Sequence, residues 1–431
     1  MIKAFKRLWN DRRGNALVIA GAALPLVVGS AGLATDTIQW TLWKRQLQRA
    51  ADSAAMAGVY AKASGQAVEG AVNGDLTYNQ NTGIALVSGY PEITFPANTA
   101  DWDNAVKVSL AVKRSLAFSS MFVPAPTIVA AATAAIADSG KYCVVSLENT
   151  STTGIVDSGN ATVDLGCGMI TNSTSLNAAI ATGSASVNAS PVAAVGGIQD
   201  ARQWGSSKLL PFTVAQADPY SGVNVDGSNV SSCANDPKVN PGDDVELAPG
   251  CYKGLTLNGK VKLKPGIYYI DGGTSASVPN GLDVGAQGNV DGTGGVTIVL
   301  TNSSSSTTAP IGNVKINGSA QVKLTAPSTG CVLGTSGCYD GLVLYQDRRA
   351  SDDGNSSNSP NLINGNSNSV FNGAFYFPNQ QVGFNGNGGL KTDCFQLVAR
   401  RVDFKGNMTV RNTCSSGGPP EITGRHVRLV A

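Results

Sequence analysis

The sequence predicts a single N-terminal transmembrane helix continuing to a stalk helix and a small α+β unit, then an all-β region built as a parallel β-helix or solenoid. Three observations predict this. Residues 14–35 carry no charged side chain. Residues 38–62 are rich in Ala, Leu and Gln, with no proline and one glycine, Gly58. From Lys141 onward helix signals nearly vanish and a short Gly-led pattern recurs. The corresponding segments are 1–35 (basic stub and anchor), 36–64 (stalk helix), 65–139 (α+β unit) and 140–431 (β region). Lys and Arg number 31 against 29 Asp and Glu. That balance excludes the clustered basic surface that nucleic-acid binding needs. Charged residues make up only 14% of the chain and glycines number 51, a turn-rich composition. An apolar share of 42% is too high for wholesale disorder.

The span is just long enough to cross a bilayer, which takes roughly 20 mostly apolar residues for about 30 Å of hydrocarbon. Pro25 and the Gly, Ala and Ser content within it are tolerated in membrane helices. Lys3, Lys6, Arg7, Arg12 and Arg13 precede it; Asp36, Trp40 and Trp43 follow. Positive charge stays in the cytoplasm, so the N-terminus is inside, everything after Asp36 is exported, and the tryptophans lie near the outer interface. An uncleaved anchor is the preferred reading. The alternatives are a cleaved signal with its exit near Ser30-Ala31-Gly32 or Gly32-Leu33-Ala34, and a prepilin cut after Gly14. The prepilin reading has Ile19 where glutamate is usual.

In the stalk, Leu42, Leu47, Ala50, Ala51, Ala54 and Ala57 form a small apolar surface on a run of good helix formers. Helical spacing leaves open whether that face receives partner subunits or packs on its own domain. Beyond it, Glu69–Asn79 reads as a short helix. Ile93–Pro96 and Ala105–Lys113 read as strands, the latter alternating Val106, Val108, Leu110 and Val112 on one face. Phe118–Phe122 and the Ala-rich Ile128–Ala137 follow.

The stretch Leu47-Gln48-Arg49-Ala50-Ala51-Asp52-Ser53-Ala54-Ala55, with Arg13-Gly14 before the apolar run and Asp36 at its outer end, resembles the N-terminal region of TadE/TadG-like proteins of the Tad (Flp, tight adherence) pilus assembly system. Cys143-Val-Val-Ser-Leu, Gly166-Cys167-Gly168, Asn172-Ser173, Pro249-Gly250 and Pro265-Gly266-Ile267-Tyr268 are similar to the longer TadG-related chains. Some of those carry a von Willebrand A domain with an Asp-x-Ser-x-Ser metal site, a motif this sequence lacks. The resemblance implies a single-pass protein of a bacterial inner membrane with the bulk of the chain periplasmic or extracellular. It implies other Tad assembly proteins as partners and Asp36, Leu47, Gln48, Ala50, Ala51, Asp52 and Ala54 as family-motif and stalk-packing residues.

In the β region the pattern reads Gly159-Asn-Ala-Thr-Val163, Gly183-Ser-Ala-Ser-Val187, Gly259-Lys-Val-Lys-Leu263, Gly318-Ser-Ala-Gln-Val322 and Gly406-Asn-Met-Thr-Val410. A looser copy is Gly386-Asn-Gly-Gly-Leu390, and Ser351–Pro360 is a polar loop. Several spacings fall in the roughly 20–30-residue range of one solenoid coil. Such strands are too short to bury a face alone, and stacking buries a continuous stripe. An antiparallel β-sandwich fits short strands with turn signals as well.

Cys143, Cys167, Cys233, Cys251, Cys331, Cys338, Cys394 and Cys414 all follow the span, an even count that favours disulfides in an exported chain. Pairing neighbours gives Cys143–Cys167, Cys233–Cys251, Cys331–Cys338 and Cys394–Cys414, one choice among many. Zinc is disfavoured: there is no Cys-x-x-Cys and a single histidine, His426, read as a strand residue. Asp243-Asp244 and Asp352-Asp353 read as solvated loop charge, with calcium as the alternative. Gly285-Ala-Gln-Gly288 and Asp291–Gly295 read as turns, and Arg348-Arg349 and Arg400-Arg401 as surface pairs. No residue set reads as a catalytic site, a cofactor site or a metal site, so the expectation is a pilus-assembly or adhesion component that is not an enzyme and holds no cofactor. A surface or glycan ligand is left unspecified. The alternative is a membrane-tethered carbohydrate-binding or carbohydrate-active β-helix protein.

Overall fold

The computed structural model describes residues 13–79, 85–275, 279–352, 359–364, 368–385, 389–406, 409–412 and 419–430. Lys3, Lys6, Arg7, Arg12, Asp353, Cys414, most of the 351–360 loop and parts of the motif copies at 386 and 406 lie outside the described residues. The chain forms two units, one of residues 1–137 with 427–431 and one of residues 138–426.

In the first unit, the predicted anchor and stalk form one helix, Arg13–Ala63, uninterrupted at Pro25. At 1.5 Å per residue it is about 77 Å long. It is long and apolar enough to cross a membrane. The helix stops at a Schellman turn: Gly65 takes φ +68°, and the Gln66 and Gly65 amides return to the carbonyls of Ala61 and Lys62. A short helix, Val68–Asn79, packs back on it. Strands Trp102–Lys113 and Thr127–Ser146 pair antiparallel, and Glu92–Thr94 adds to the first. The Ala-rich run is thus part of a strand, paired with the strand Trp102–Lys113 on which the long helix packs. Gln48 Nε2 donates to the Ala131 carbonyl at 2.9 Å. A Cβ at Gly58 would meet Val106, Val72 and Val68. The chain returns late, with the Val430 amide on the Thr133 carbonyl.

The second unit is mostly parallel, contrary to the sandwich alternative. A first run places Ile155–Asp157, Thr162–Asp164 and Gly168–Thr171 beside Ala179–Ala181, Ser186–Asn188 and Val192–Ala194, each strand pairing with the third one after it. A second run does the same in three files. The first is Asp244–Leu247, Lys260–Leu263, Asn289–Gly292 and Gln321–Thr325. The second is Gly250–Lys253, Gly266–Asp271, Val296–Thr301 and Leu342–Gln346. The third is Leu255–Leu257, Leu282–Val284, Val314–Ile316 and Asn361–Ile363. Strands Val370–Phe384 and Gly389–Phe404 then pass through all three files.

Stacking order departs from chain order. Residues 397–399 pair with 144–146, 402–404 with 155–157 and 409–411 with 162–164, so the end of the second run meets the start of the first at a seam. The far ends of the two runs are joined by residues 211–233, which run along one file. Gln216 bonds Asn172, Tyr220 bonds Gln396, Asp218 bonds Tyr376, Val223 bonds Tyr345, Asn229 bonds Tyr269, and Cys233 is bridged to Cys251. The strap's own Tyr220, Val223 and Val230 are buried.

Motif copies 159 and 183 share one corner: both glycines take positive φ, and a Cβ at Gly183 would sit 2.9 Å from the Gly159 carbonyl. Residues 163 and 187 are register partners, as are residues 410 and 163. The copies at 259 and 318 are not equivalent. The register Lys260↔Asn289↔Gln321 sets Gly259 level with Ala320 rather than Gly318. Both segments keep apolar side chains inward, because a two-residue shift preserves strand facing.

Candidate functional site

The charge-free stretch gives the long helix exposed Val27, Val28 and Leu33, with Asp36 just beyond. Asp36 is 3% exposed. Its carboxylate accepts the Phe118 amide at 3.0 Å and both the amide and hydroxyl of Ser119, which open the turn Ser119–Met121. Three donors satisfy an otherwise costly buried carboxylate. Further along, Gln48 donates to Asp52 at 2.8 Å as well as to Ala131. Leu47, Ala51 and Ala54 are fully buried within the first unit, where the helix meets the hairpin and the short helix; Ala50 is half-buried. Half of the small-residue face is therefore covered by the chain's own strands and short helix, while Leu42 is exposed and Ala50 and Ala57 are half-buried.

In the second unit a charge network spans the seam. Glu148 is 0% exposed and accepts from Arg401 at 2.6 Å and Arg400 at 3.1 Å, while Asp352 holds the same two arginines at 2.5 and 3.1 Å. Burial pushes the Glu148 carboxyl up, but hydrogen bonds from Thr150 and Arg401 and the charge of Arg400 outweigh it and hold the group below the usual glutamate range. On the strand Ile155–Asp157, which pairs directly with the strand carrying the two arginines, Asp157 is buried with no hydrogen-bond partner on either carboxyl oxygen. Burial first, then the facing charge of Asp403, pushes it up to about 8. Asp403, held by Lys405, is also raised by burial. Carboxyls this perturbed can mark chemistry; here they sit inside the stack beneath strand backbones.

Residues 14–64 match the family model described as putative Flp pilus-assembly TadE/G-like. The N-terminal segment is TadE/G-like. No curated protein and no solved structure matches the chain. The TadE/G-like segment contains every family-motif residue named from the sequence, from Asp36 to Ala54. The partner of Asp36 lies 82 residues away, at Phe118, beyond any local pattern.

Two of the sequence readings, both of arginine pairs, change. Arg400-Arg401 is not a surface pair: Arg401 is buried, because its two carboxylate partners come from segments far away in sequence. Arg348-Arg349 is likewise engaged. Arg348 lies over the Tyr376 ring at 5.1 Å and donates to the Val223 carbonyl of the strap, and Arg349 pairs with Asp347 at 2.7 Å. Asp244 pairs with Lys260, and Asp243 caps the Asn240 amide. His426 lies half-buried in the strand Ile422–Leu429. Disulfides join Cys143–Cys167, Cys233–Cys251 and Cys331–Cys338, and Cys394 is disulfide-bonded. Among the described residues one group has metal-like proximity, Cys331, Cys338 and Asp340. Its sulfurs are bonded to each other, and Asp340 accepts the Gly330 amide and the Thr329 hydroxyl of its own loop.

Proposed function

We propose that this chain is a membrane-anchored structural or accessory component of a Tad (Flp) pilus assembly system, that its second unit is a β-solenoid displayed outside the cytoplasm for assembly or adhesion, and that it works without catalytic turnover. The observation that carries this reading is the TadE/G-like match over residues 14–64, which coincides with the apolar helix. Lys and Arg before Gly14 favour a cytoplasmic N-terminus. The third-strand parallel pairing supports the solenoid, since stacked short strands bury one continuous apolar stripe. Disulfides fit an oxidising compartment. Other Tad assembly proteins are the partners on this reading. Deleting the gene and imaging pili and surface attachment tests it: reduced pilus display, restored by the full chain, is expected. Normal pili and attachment in the deletion strain would reject the pilus role.

A further inference from the structure

The first unit folds its most exposed apolar loop against the end of its own candidate span. Residues 115–126, between the two hairpin strands, carry no charged side chain. Met121 is 75% exposed and Phe122 73%, with Val123 exposed beside them. The loop is clasped to the helix at two points one turn apart. Phe118 lies on Gly32, where an added Cβ would fall 2.5 Å from its ring, and Asp36 binds the Phe118 and Ser119 amides. The 22 residues of the charge-free stretch rise about 33 Å, close to the roughly 30 Å of a bilayer's hydrocarbon. Gly32 and Asp36 therefore mark the level where hydrocarbon gives way to headgroups.

Charge and aromatic residues begin immediately outward of that level. Trp40 is exposed, the Arg114 guanidinium lies over the Trp43 ring at 5.7 Å, and Lys44 donates to the Val129 carbonyl. Tryptophan and basic side chains are what the interface favours. The hairpin and the helix thus change from apolar to polar at the same height. We propose that the hairpin tip, Phe118–Val123, is a second membrane contact that inserts Met121, Phe122 and Val123 into the bilayer interface beside the helix. Gly32 and Asp36 set its depth. The bilayer is the occupant because the tip continues the exposed flank of Val27, Val28 and Leu33 and is backed by interfacial residues. Asp36 tolerates this depth because three donors satisfy its charge.

This rests on the anchor reading, and the test separates the two. The full chain is reconstituted in phosphatidylcholine vesicles with a nitrobenzoxadiazole label at Met121→Cys, at Phe122→Cys as a second position, or at Tyr78→Cys as a control. Tyr78 is almost fully exposed on the short helix of the same unit, far along the long helix from Gly32. Unsubstituted chain carried through the labelling gives the background. Labels at 121 and 122 are expected to emit at short wavelength and to lose emission to lipids spin-labelled high on the acyl chain, while the label at 78 emits as in water. Water-like emission at both positions, in chain that floats with the vesicles, overturns the tip contact and leaves the anchor standing. Short-wavelength emission without lipid quenching means that protein covers the tip, and overturns it too. Chain that does not float overturns the anchor and this proposal with it.

Discussion

Glu148→Gln removes the negative centre of the network that clamps the two runs of strands together. The wild-type carboxylate is fully buried and receives Arg401 at 2.6 Å, Arg400 at 3.1 Å, and the Thr150 amide and hydroxyl at 3.0 and 2.7 Å. A glutamine amide turns one acceptor into a donor that faces either Thr150 or a guanidinium, and it leaves Arg401 buried with a reduced counter-charge. Breaking a buried pair by removing one partner costs about 3–5 kcal/mol. Asp352 still holds both arginines, so the lower end, about 3 kcal/mol, applies. Pulse proteolysis in urea of the full chain in detergent, scoring the second unit, reads this as a lowered midpoint. Replacing both partners, Glu148→Leu with Arg401→Met, should recover much of the loss, because an apolar pair carries no desolvation penalty. A loss under about 1 kcal/mol, the worth of an exposed pair, would refute the claim that the seam depends on this network.

Four further outcomes are expected. Asp157 keeps in the folded chain, up to about pH 8, a proton that the unfolded chain releases in the ordinary aspartate range. Its stabilising contribution is whole below that range and is lost as pH rises toward about 8, by up to about 1.4 kcal/mol per pH unit; thermal unfolding of Asp157→Asn should show a flatter pH dependence across that window. Gly312→Ala would set a Cβ 1.9 Å from the Asn280 carbonyl and should destabilise the second unit by about 1–3 kcal/mol in urea. Gly227→Ala, with nothing within 4 Å, should change it by less than about 0.5 kcal/mol. Ala54→Leu should lower the melting temperature of the first unit, with an overpacking cost of about 1–3 kcal/mol, while Ala50→Leu, at a half-buried position, should cost less.

The local features were legible in the sequence by itself. A run of 22 residues without charge, a run of helix formers ending before Gly65, and Gly-led alternating pentads each carry their signal within a short window. Backbone propensity and facing act at that range, so the long helix, the short helix and the short strands of the second unit follow the pattern, whereas the parallel pairing of those strands, which the same pattern left open against an antiparallel sandwich, does not. Everything that depended on long-range register was decided by the tertiary structure. Arg400 and Arg401 read as surface charge because Glu148 is some 250 residues away. Asp36 read as a family mark because its acceptors' partners, Phe118 and Ser119, are on a distant hairpin. The Gly259 and Gly318 pentads look alike, yet they stack two residues out of phase, since a side-chain period of two leaves even shifts undetectable in the pattern. The strap of residues 211–233 shows no periodicity at all; its course is set by tyrosines and amides on strands that only the stacked fold lines up.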